Sequence, residues 1–332
     1  MMALALSALG AGVAFATNIR PLGPAPAPVL RPVSLPRDHG AHAGFGVEWW
    51  YTAGTVHGSD GHRYFWFATA WAAPQGVVSR VNLLDLRTGR TVVQDENLVA
   101  TPLRAGQVVI PVGRFTIGRH AGGRMGRWVA IDTTSTGERL ALTLTPQVPY
   151  VLHGRQGLIA QGPGARSAYY SEPRLAARGT LVIGGRHISL SGLGWLDHQW
   201  GNFTRAGSLR WNWFACQLRD GRDLMLYEFL NAQDRPSGVA AGTLVTRAGA
   251  VVHLHAFTVT PLAAWAHPAG ARSRYPLGWR LDVPAAGLAI TLHSLTRAGF
   301  IANTVVPSFW EAPAAITRGP AGGCIVESSR EV

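Results

Sequence analysis

Short runs of β-branched and aromatic residues alternate along this chain with turn residues, and no long stripe of helical period interrupts them. The pattern predicts many short strands and few helices. Glu48-Trp49-Trp50-Tyr51 and Tyr64-Phe65-Trp66-Phe67 flank a turn at Ser59-Asp60-Gly61, and alternation on both sides of an Asp-Gly pair predicts a hairpin. Trp128-Val129-Ala130-Ile131 and Leu140-Ala141-Leu142-Thr143-Leu144 flank Thr136-Gly137 as a second hairpin.

The second half of the chain repeats this outline. Asp197-His198 stands ahead of Trp211-Asn212-Trp213-Phe214 as Asp38-His39 stands ahead of Glu48-Trp49-Trp50-Tyr51. A turn at Asp220-Gly221 leads into Leu224-Met225-Leu226-Tyr227, and Trp279-Arg280-Leu281-Asp282 leads through Ala286-Gly287 into Leu288-Ala289-Ile290-Thr291-Leu292. Tyr170-Ser171-Glu172 with Arg178-Gly179 has an echo in Trp310-Glu311 with Arg318-Gly319. Any one match is common in strands and turns, but several in one order predict a duplication. The expectation is an all-β chain of two consecutive antiparallel β-barrel domains, 37–192 and 193–332, closed so that few strand edges are left bare. A Trp near the first strand of each repeat would plug the barrel floor.

Length and composition accommodate this picture: 332 residues suffice for two cores, and 40 Gly with 21 Pro supply the turns. The net charge is +12 and every basic residue is Arg, a bias that GC-rich coding would also produce. Because the arginines are scattered through turns and no nucleic-acid motif is present, nucleic acid is not expected as a partner, whereas peripheral association with anionic lipid is compatible with the charge. The apolar run from Ala3 to Ala16 ends in Ala14-Phe15-Ala16, an A-x-A-like cleavage pattern. It is shorter than the roughly 20 residues a spanning helix needs. Residues 1–16 are therefore read as a signal-peptide-like segment, 17–36 as a Pro-rich linker, and the protein as exported to the periplasm or envelope. Cys216 and Cys324 make either one disulfide or a reduced buried pair. The oligomeric state is not legible.

The densest chemistry lies in Gly194-Trp195-Leu196-Asp197-His198-Gln199-Trp200-Gly201, with Trp211 and Trp213 close behind. Such a cluster could hold a proton donor against an apolar ligand. Asp197, buried among Trp195, Trp200 and Trp213, would have a raised pKa and act as that donor, with the indole faces against the ligand. His198 or Tyr170 would position water as base. The structural alternative is that Asp197 and His198 satisfy backbone donors at a domain junction. Trp50, Tyr51, Glu48 and Tyr227 join Trp195, Trp200 and Trp213 as candidate ligand contacts. Tyr51 and Tyr227 read equally as barrel filling, and Glu48, like Glu311, as the partner of an Arg at a barrel end. A metal held by Asp38, His39 and His42 with Asp197 and His198 is set aside, because neither spacing nor a helix supports it. No metal and no cofactor are expected. A G-x-S-x-G elbow, a G-x-G-x-x-G helix start and a P-loop are all missing from the sequence, which removes the enzyme classes built on them.

Several segments resemble the two-domain lipocalin-like proteins that include carotenoid 1,2-hydratase, the AttH-type secreted proteins, and fungal hydratases and Diels-Alder cyclases. They are Asp38-His39-Gly40-Ala41-His42 with Glu48 to Gly54, Tyr169-Tyr170-Ser171, Gly194 to Gly201, Trp213 to Leu218 with Asp220 to Tyr227, and Phe309-Trp310-Glu311-Ala312. The resemblance implies two lipocalin-like barrels with an apolar pocket at or near their interface, and it assigns the acid to Asp197. Trp195 stands where the hydratases usually carry Tyr, which brings the chain closer to the secreted bacterial branch. The functional expectation is a hydratase, lyase or isomerase acting on a C=C system of an apolar isoprenoid or polyketide-like ligand. The alternative is an exported carrier that holds such a ligand unchanged.

Overall fold

Strands form where apolar residues must be covered on both faces of a sheet. The computed structural model describes residues 28–121, 125–202, 210–262, 265–266, 274–303 and 308–329. The leader-like segment 1–16 and linker residues 17–27 lie outside them. Among the described residues there is no α-helix, and so none long and apolar enough to cross a membrane; the helical pieces are two 3-10 turns, Arg37–His39 and Pro284–Ala286. The rest of the regular structure is antiparallel strand, nearly all of it curled into two nearly closed barrel sheets, with Trp265–Ala266 and Tyr275–Pro276 paired as a separate two-stranded sheet.

The first sheet runs in the order Arg90–Val99, Gly76–Asp85, Arg63–Ala73, Val47–Gly58, Arg186–Gly201, Ala165–Ile183, Arg139–Pro146, Arg127–Thr133, Phe115–His120, Val109–Val112. The second runs Val251–Leu254, Pro236–Val245, Asp223–Leu230, Arg210–Leu218, Gly322–Ser328, Phe309–Arg318, Leu288–Ser294, Gly278–Val283, Thr258–Pro261. The two orders match strand for strand through their shared positions. In each, the first strand lies between the second strand and the last, as a duplicated barrel requires.

This topology moves the junction expected at 192/193. Arg186–Gly201 is one continuous strand, paired along its length with Val47–Gly58 and Ala165–Ile183, so Asp197 and His198 belong to the first sheet. The sheets change over between Gly201 and Arg210. The Asp197-His198 pair therefore does not mirror Asp38-His39, since it lies on the last strand of the first sheet, whose counterpart is Gly322–Ser328.

Three apolar clusters follow from strand alternation. Trp50, Trp66, Trp128 and Leu196 fill the first barrel, and Phe214, Trp279, Trp310 and Val326 fill the second. The residues one step along, Tyr51, Phe67, Tyr169 and Trp195 from one sheet and Trp213, Tyr227, Phe309 and Ile325 from the other, meet in a cluster between the sheets. Trp50 plugs the first barrel as expected. Trp213 does not plug the second: it faces the first sheet, and Phe214 points inward in its place. The sequence match of Trp50 with Trp213 is thus one residue out of phase, and a one-residue slip changes the face.

Polar contacts join the sheets as well. Arg174 Nη2 donates to Asp223 Oδ1 at 2.6 Å, Gln217 Nε2 donates to the carbonyls of Pro173 at 2.7 Å and Gly194 at 2.8 Å, and the Tyr227 hydroxyl donates to the Ala160 carbonyl at 2.9 Å. Cys216 and Cys324 sit opposite each other on adjacent strands and are joined in a disulfide, which settles the two cysteine alternatives.

Candidate functional site

Three neighbouring strands carry the candidate residues on two adjacent rungs. Tyr51, Asp197 and Ser171 pair across Val47–Gly58, Arg186–Gly201 and Ala165–Ile183, and their side chains face the space between the sheets. Trp50, His198 and Tyr170 form the next rung and face the other way. The three residues expected to act together, Asp197, His198 and Tyr170, are therefore split between faces. Neighbours along a strand project oppositely, so His198 and Tyr170 are excluded as the base that serves Asp197.

Asp197 is buried, 4% exposed, and accepts three hydrogen bonds. Trp195 Nε1 donates to Oδ1 at 2.6 Å, the Tyr169 hydroxyl donates to Oδ2 at 2.6 Å, and the Ser171 hydroxyl donates to Oδ1. Burial pushes the carboxyl up and these donors pull it back, leaving its pKa at about 6. Tyr169 is fixed in turn by Trp213, whose Nε1 donates to the Tyr169 oxygen at 3.2 Å. Behind Ser171 stands His153, with Nε2 2.6 Å from the Ser171 oxygen and Nδ1 2.9 Å from the Thr243 hydroxyl of the second sheet. Burial drives the His153 pKa down to about 3, so the ring is neutral. Because Ser171 gives its proton to Asp197, the ring proton sits on Nε2 and Thr243 donates to Nδ1. The result is one directed chain from Thr243 through His153 and Ser171 to Asp197.

The second sheet presents the equivalent rung, Trp213, Glu327 and Glu311, to the same space. Tyr51 donates to Glu311 Oε1 at 2.6 Å, Trp211 Nε1 donates to Glu327 Oε1, and Glu311 Oε2 is buried without a partner. Burial, reinforced by Glu327 and then Asp197 and opposed by the Tyr51 hydroxyl, holds Glu311 well above the carboxylate range. Burial also raises the half-buried Glu327, to about 7. Tyr51 packs edge-on against Trp213 at 5.4 Å, and Trp195 meets Trp213 at 6.2 Å. The space between the sheets thus holds three acids of raised pKa within aromatic walls.

Glu311 was expected to pair with an Arg, and its partner is Tyr51. Tyr169, Ser171, His153, Glu327 and Trp211 were not singled out for this site. Tyr169 and Ser171 lie in a motif already quoted and share a face by strand alternation, but only the register that pairs Ser171 with Asp197 turns that face toward the acid. His153 and Glu327 carry no local signal, since their place depends on pairing with distant strands.

The opposite rung organises the end of the first barrel. Glu48 is buried, and its partners are two histidines and not an Arg, because His42 and His198 fill the place a guanidinium would take. His42 Nδ1 and His198 Nε2 each lie 2.7 Å from Glu48 Oε1, and the His42 backbone N–H donates to Oε2 at 2.7 Å. Burial raises the Glu48 pKa, but the hydrogen bonds from His198 and His42 outweigh it and hold the group below its usual range. Burial lowers His198 against the pull of Glu48. Trp200 stacks on His42 and Trp50 on His198. Trp50, Trp200 and Glu48 thus leave the ligand-facing set, while Trp195, Trp213, Tyr51 and Tyr227 remain between the sheets. The metal set weighed from sequence is not assembled, since Asp197 faces away and His39 is engaged by Tyr170. A surface cavity of about 640 Å³ lies elsewhere, against Val77, Val99, Leu103, Arg104 and Pro111, and none of these acids lines it.

Solved structures share this architecture. A protein assigned as AttH from Nitrosomonas europaea superposes with a TM-score of 0.83 at 24% identity, over 92% of this chain and 99% of that one. Kievitone hydratase from Nectria haematococca gives 0.70 at 17% identity, over 90% and 93%. CghA with Sch210972 gives 0.59 at 12% identity, over 86% and 88%. At these identities the likeness carries the fold alone. No curated protein matches the chain significantly. A model of the AttH-like family matches residues 26–327, and with nearly the whole chain inside that match, the protein belongs to the AttH-like family.

Proposed function

We propose that the protein is an acid catalyst that adds water to, or rearranges, a C=C system in an apolar isoprenoid or polyketide-like molecule bound between its two sheets. The observation that carries the reading is Asp197: a buried carboxyl with a pKa of about 6, set among Trp195, Trp213 and Tyr51. At pH 7 about one such group in ten is protonated, against roughly one in a thousand for an ordinary Asp. Protonation of the alkene by Asp197 would leave a cation facing indole rings. The water that captures the cation would shed its proton to the Asp197 carboxylate and so restore the acid, while Ser171, backed by His153, holds that carboxylate in place. Glu311, with one oxygen unpartnered and its acid form favoured, would hold the water or a ligand hydroxyl on the opposite wall. A neighbour in fold that is named a hydratase, and another seen with a bound small molecule, Sch210972, fit this reading. Export belongs to the same proposal and is supported by the Cys216–Cys324 disulfide, a bond that persists in oxidising compartments.

One observation favours the carrier instead: Tyr169, Ser171 and Trp195 satisfy Asp197 as completely as a purely structural carboxylate would need. Turnover separates the two. Purified protein is incubated with acyclic isoprenoid and polyketide alkenes in H₂¹⁸O, and products are read by mass spectrometry. The enzyme reading expects ¹⁸O-labelled or isomerised product, reduced about 100-fold or more in Asp197→Asn. A wild type that binds these compounds and returns them unchanged, or an Asp197→Asn variant of equal rate, would overturn it.

A further inference from the structure

We infer that His42, Glu48 and His198 form a binding site for a divalent transition metal of the Zn²⁺ class, on the face of the first sheet opposite Asp197. The ligand atoms of the three residues lie within 4.8 Å of one another. Two imidazole nitrogens and a carboxylate oxygen are the donor set that suits Zn²⁺ with one further position left for water. Glu48 and His198 come from adjacent strands, where Glu48 pairs with Trp200 and His198 lies two residues away on the same face. His42 closes the group from the segment that leads into Val47–Gly58.

Three features distinguish this group from a chance cluster. First, each histidine has an acceptor beside its other nitrogen, as metal-bound imidazoles do. His42 Nε2 lies 3.5 Å from Asp38 Oδ1, and His198 Nδ1 lies 3.3 Å from the Tyr170 hydroxyl, which His39 Nδ1 contacts at 2.8 Å. A bound cation would displace the inner ring protons that now bond Glu48; with the ring protons on the outer nitrogens, both inner nitrogens would present lone pairs to the same point beside Glu48 Oε1. Second, both rings are held by stacking, His42 on Trp200 at 3.8 Å and His198 on Trp50 at 4.5 Å, so little freedom is lost on binding. Third, among the described residues the side-chain partners of Glu48 are the two histidines and not an Arg, and its buried negative charge is what a divalent cation would neutralise. The His42 side chain keeps 17% of its surface exposed, which gives an ion its way in.

The site is tested on the full chain, stripped with chelator and titrated with Co²⁺ by visible absorption and with Zn²⁺ by calorimetry. One equivalent is expected per chain, with Co²⁺ bands of four- or five-coordinate intensity and a rise in melting temperature on binding. His42→Ala, at the partly exposed ligand, is expected to weaken binding at least ~100-fold, and Tyr170→Phe about 10-fold through the outer nitrogen of His198. Asp197→Asn should leave the titration unchanged, so failure here and failure of the alkene chemistry are separable. Circular dichroism checks that each variant is folded. Binding of equal affinity in folded His42→Ala and His198→Gln would place the metal elsewhere and overturn the site. Absence of binding by the wild type would overturn it as well.

Discussion

Asp197 is a buried carboxyl whose ionisation costs the fold stability. Its pKa is about 6 in the fold against 3.8 in a model peptide, with burial as the main cause. The folded state therefore holds the proton more tightly than the unfolded chain. The stabilisation is complete below pH ~4, declines as pH rises toward ~6, and is gone above that, a loss of about 3 kcal/mol. Asn at this position keeps the shape and never ionises. Between pH 4 and pH 7, wild type should lose about 2–2.5 kcal/mol of unfolding free energy relative to Asp197→Asn, measured by urea denaturation at each pH. Equal slopes in the two proteins would mean that Asp197 titrates as an ordinary carboxylate and would remove the basis for its role as acid. The burial of Asp197 and its raised pKa are what its Trp neighbours in the sequence predict. Its working partners were not legible, because the choice between Tyr169 and Tyr170 is one of strand parity, and only the pairing of Ser171 with Asp197 settles it.

Strand parity also explains the glycine that opens the Asp197 motif. Gly194 pairs with Gly54, and Gly54 pairs with Trp66, so the Trp66 indole lies across two residues without side chains. A Cβ on Gly194 would sit 2.5 Å from Trp66 Cζ2, and one on Gly54 would sit 2.3 Å from Cη2. Trp66 is fully buried in the first barrel and has nowhere to retreat. Gly194→Ala should therefore cost about 1–3 kcal/mol of stability by overpacking. Combined with Trp66→Phe, which withdraws the outer ring, the double variant should be more stable than the sum of the two single effects predicts, as a double-mutant cycle in urea would show. Additive losses would mean that the backbone, and not the indole, sets the need for glycine. At this scale the alternation of apolar residues was enough to find the hairpins and their duplication. The domain junction failed for a specific reason: Asp197-His198 resembles Asp38-His39 in letters, while its strand closes the first sheet. Local pattern identifies a strand but does not say which strand lies beside it.

At the scale of the whole molecule, the candidate site exists only because two barrels dock, and a bulge helps to dock them. The register between Ala165–Ile183 and Arg186–Gly201 shifts between Glu172 and Leu175, and such a bulge re-aims the side chains at the break. Arg174 leaves it to reach Asp223 of the second barrel and the carbonyls of Leu218 and Arg222, while Gln217 returns to the Pro173 carbonyl. Burial holds Asp223 at about 6 even against the Arg174 charge, so the acid is expensive to ionise and depends on its partner. Removing one member of such a buried pair typically costs about 3–5 kcal/mol, chiefly through the stranded charge. That cost should appear in Arg174→Ala at pH 8, where Asp223 is ionised. It should shrink by at least about 1 kcal/mol at pH 5, where Asp223 can take up a proton and no charge is stranded. Asp223→Asn in the same background should recover much of the loss at pH 8. Thermal unfolding at the two pH values decides the matter: a defect of one size at both would assign Arg174 to packing, whereas a pH-dependent defect makes the ion pair the clamp that holds Asp197 opposite Glu311.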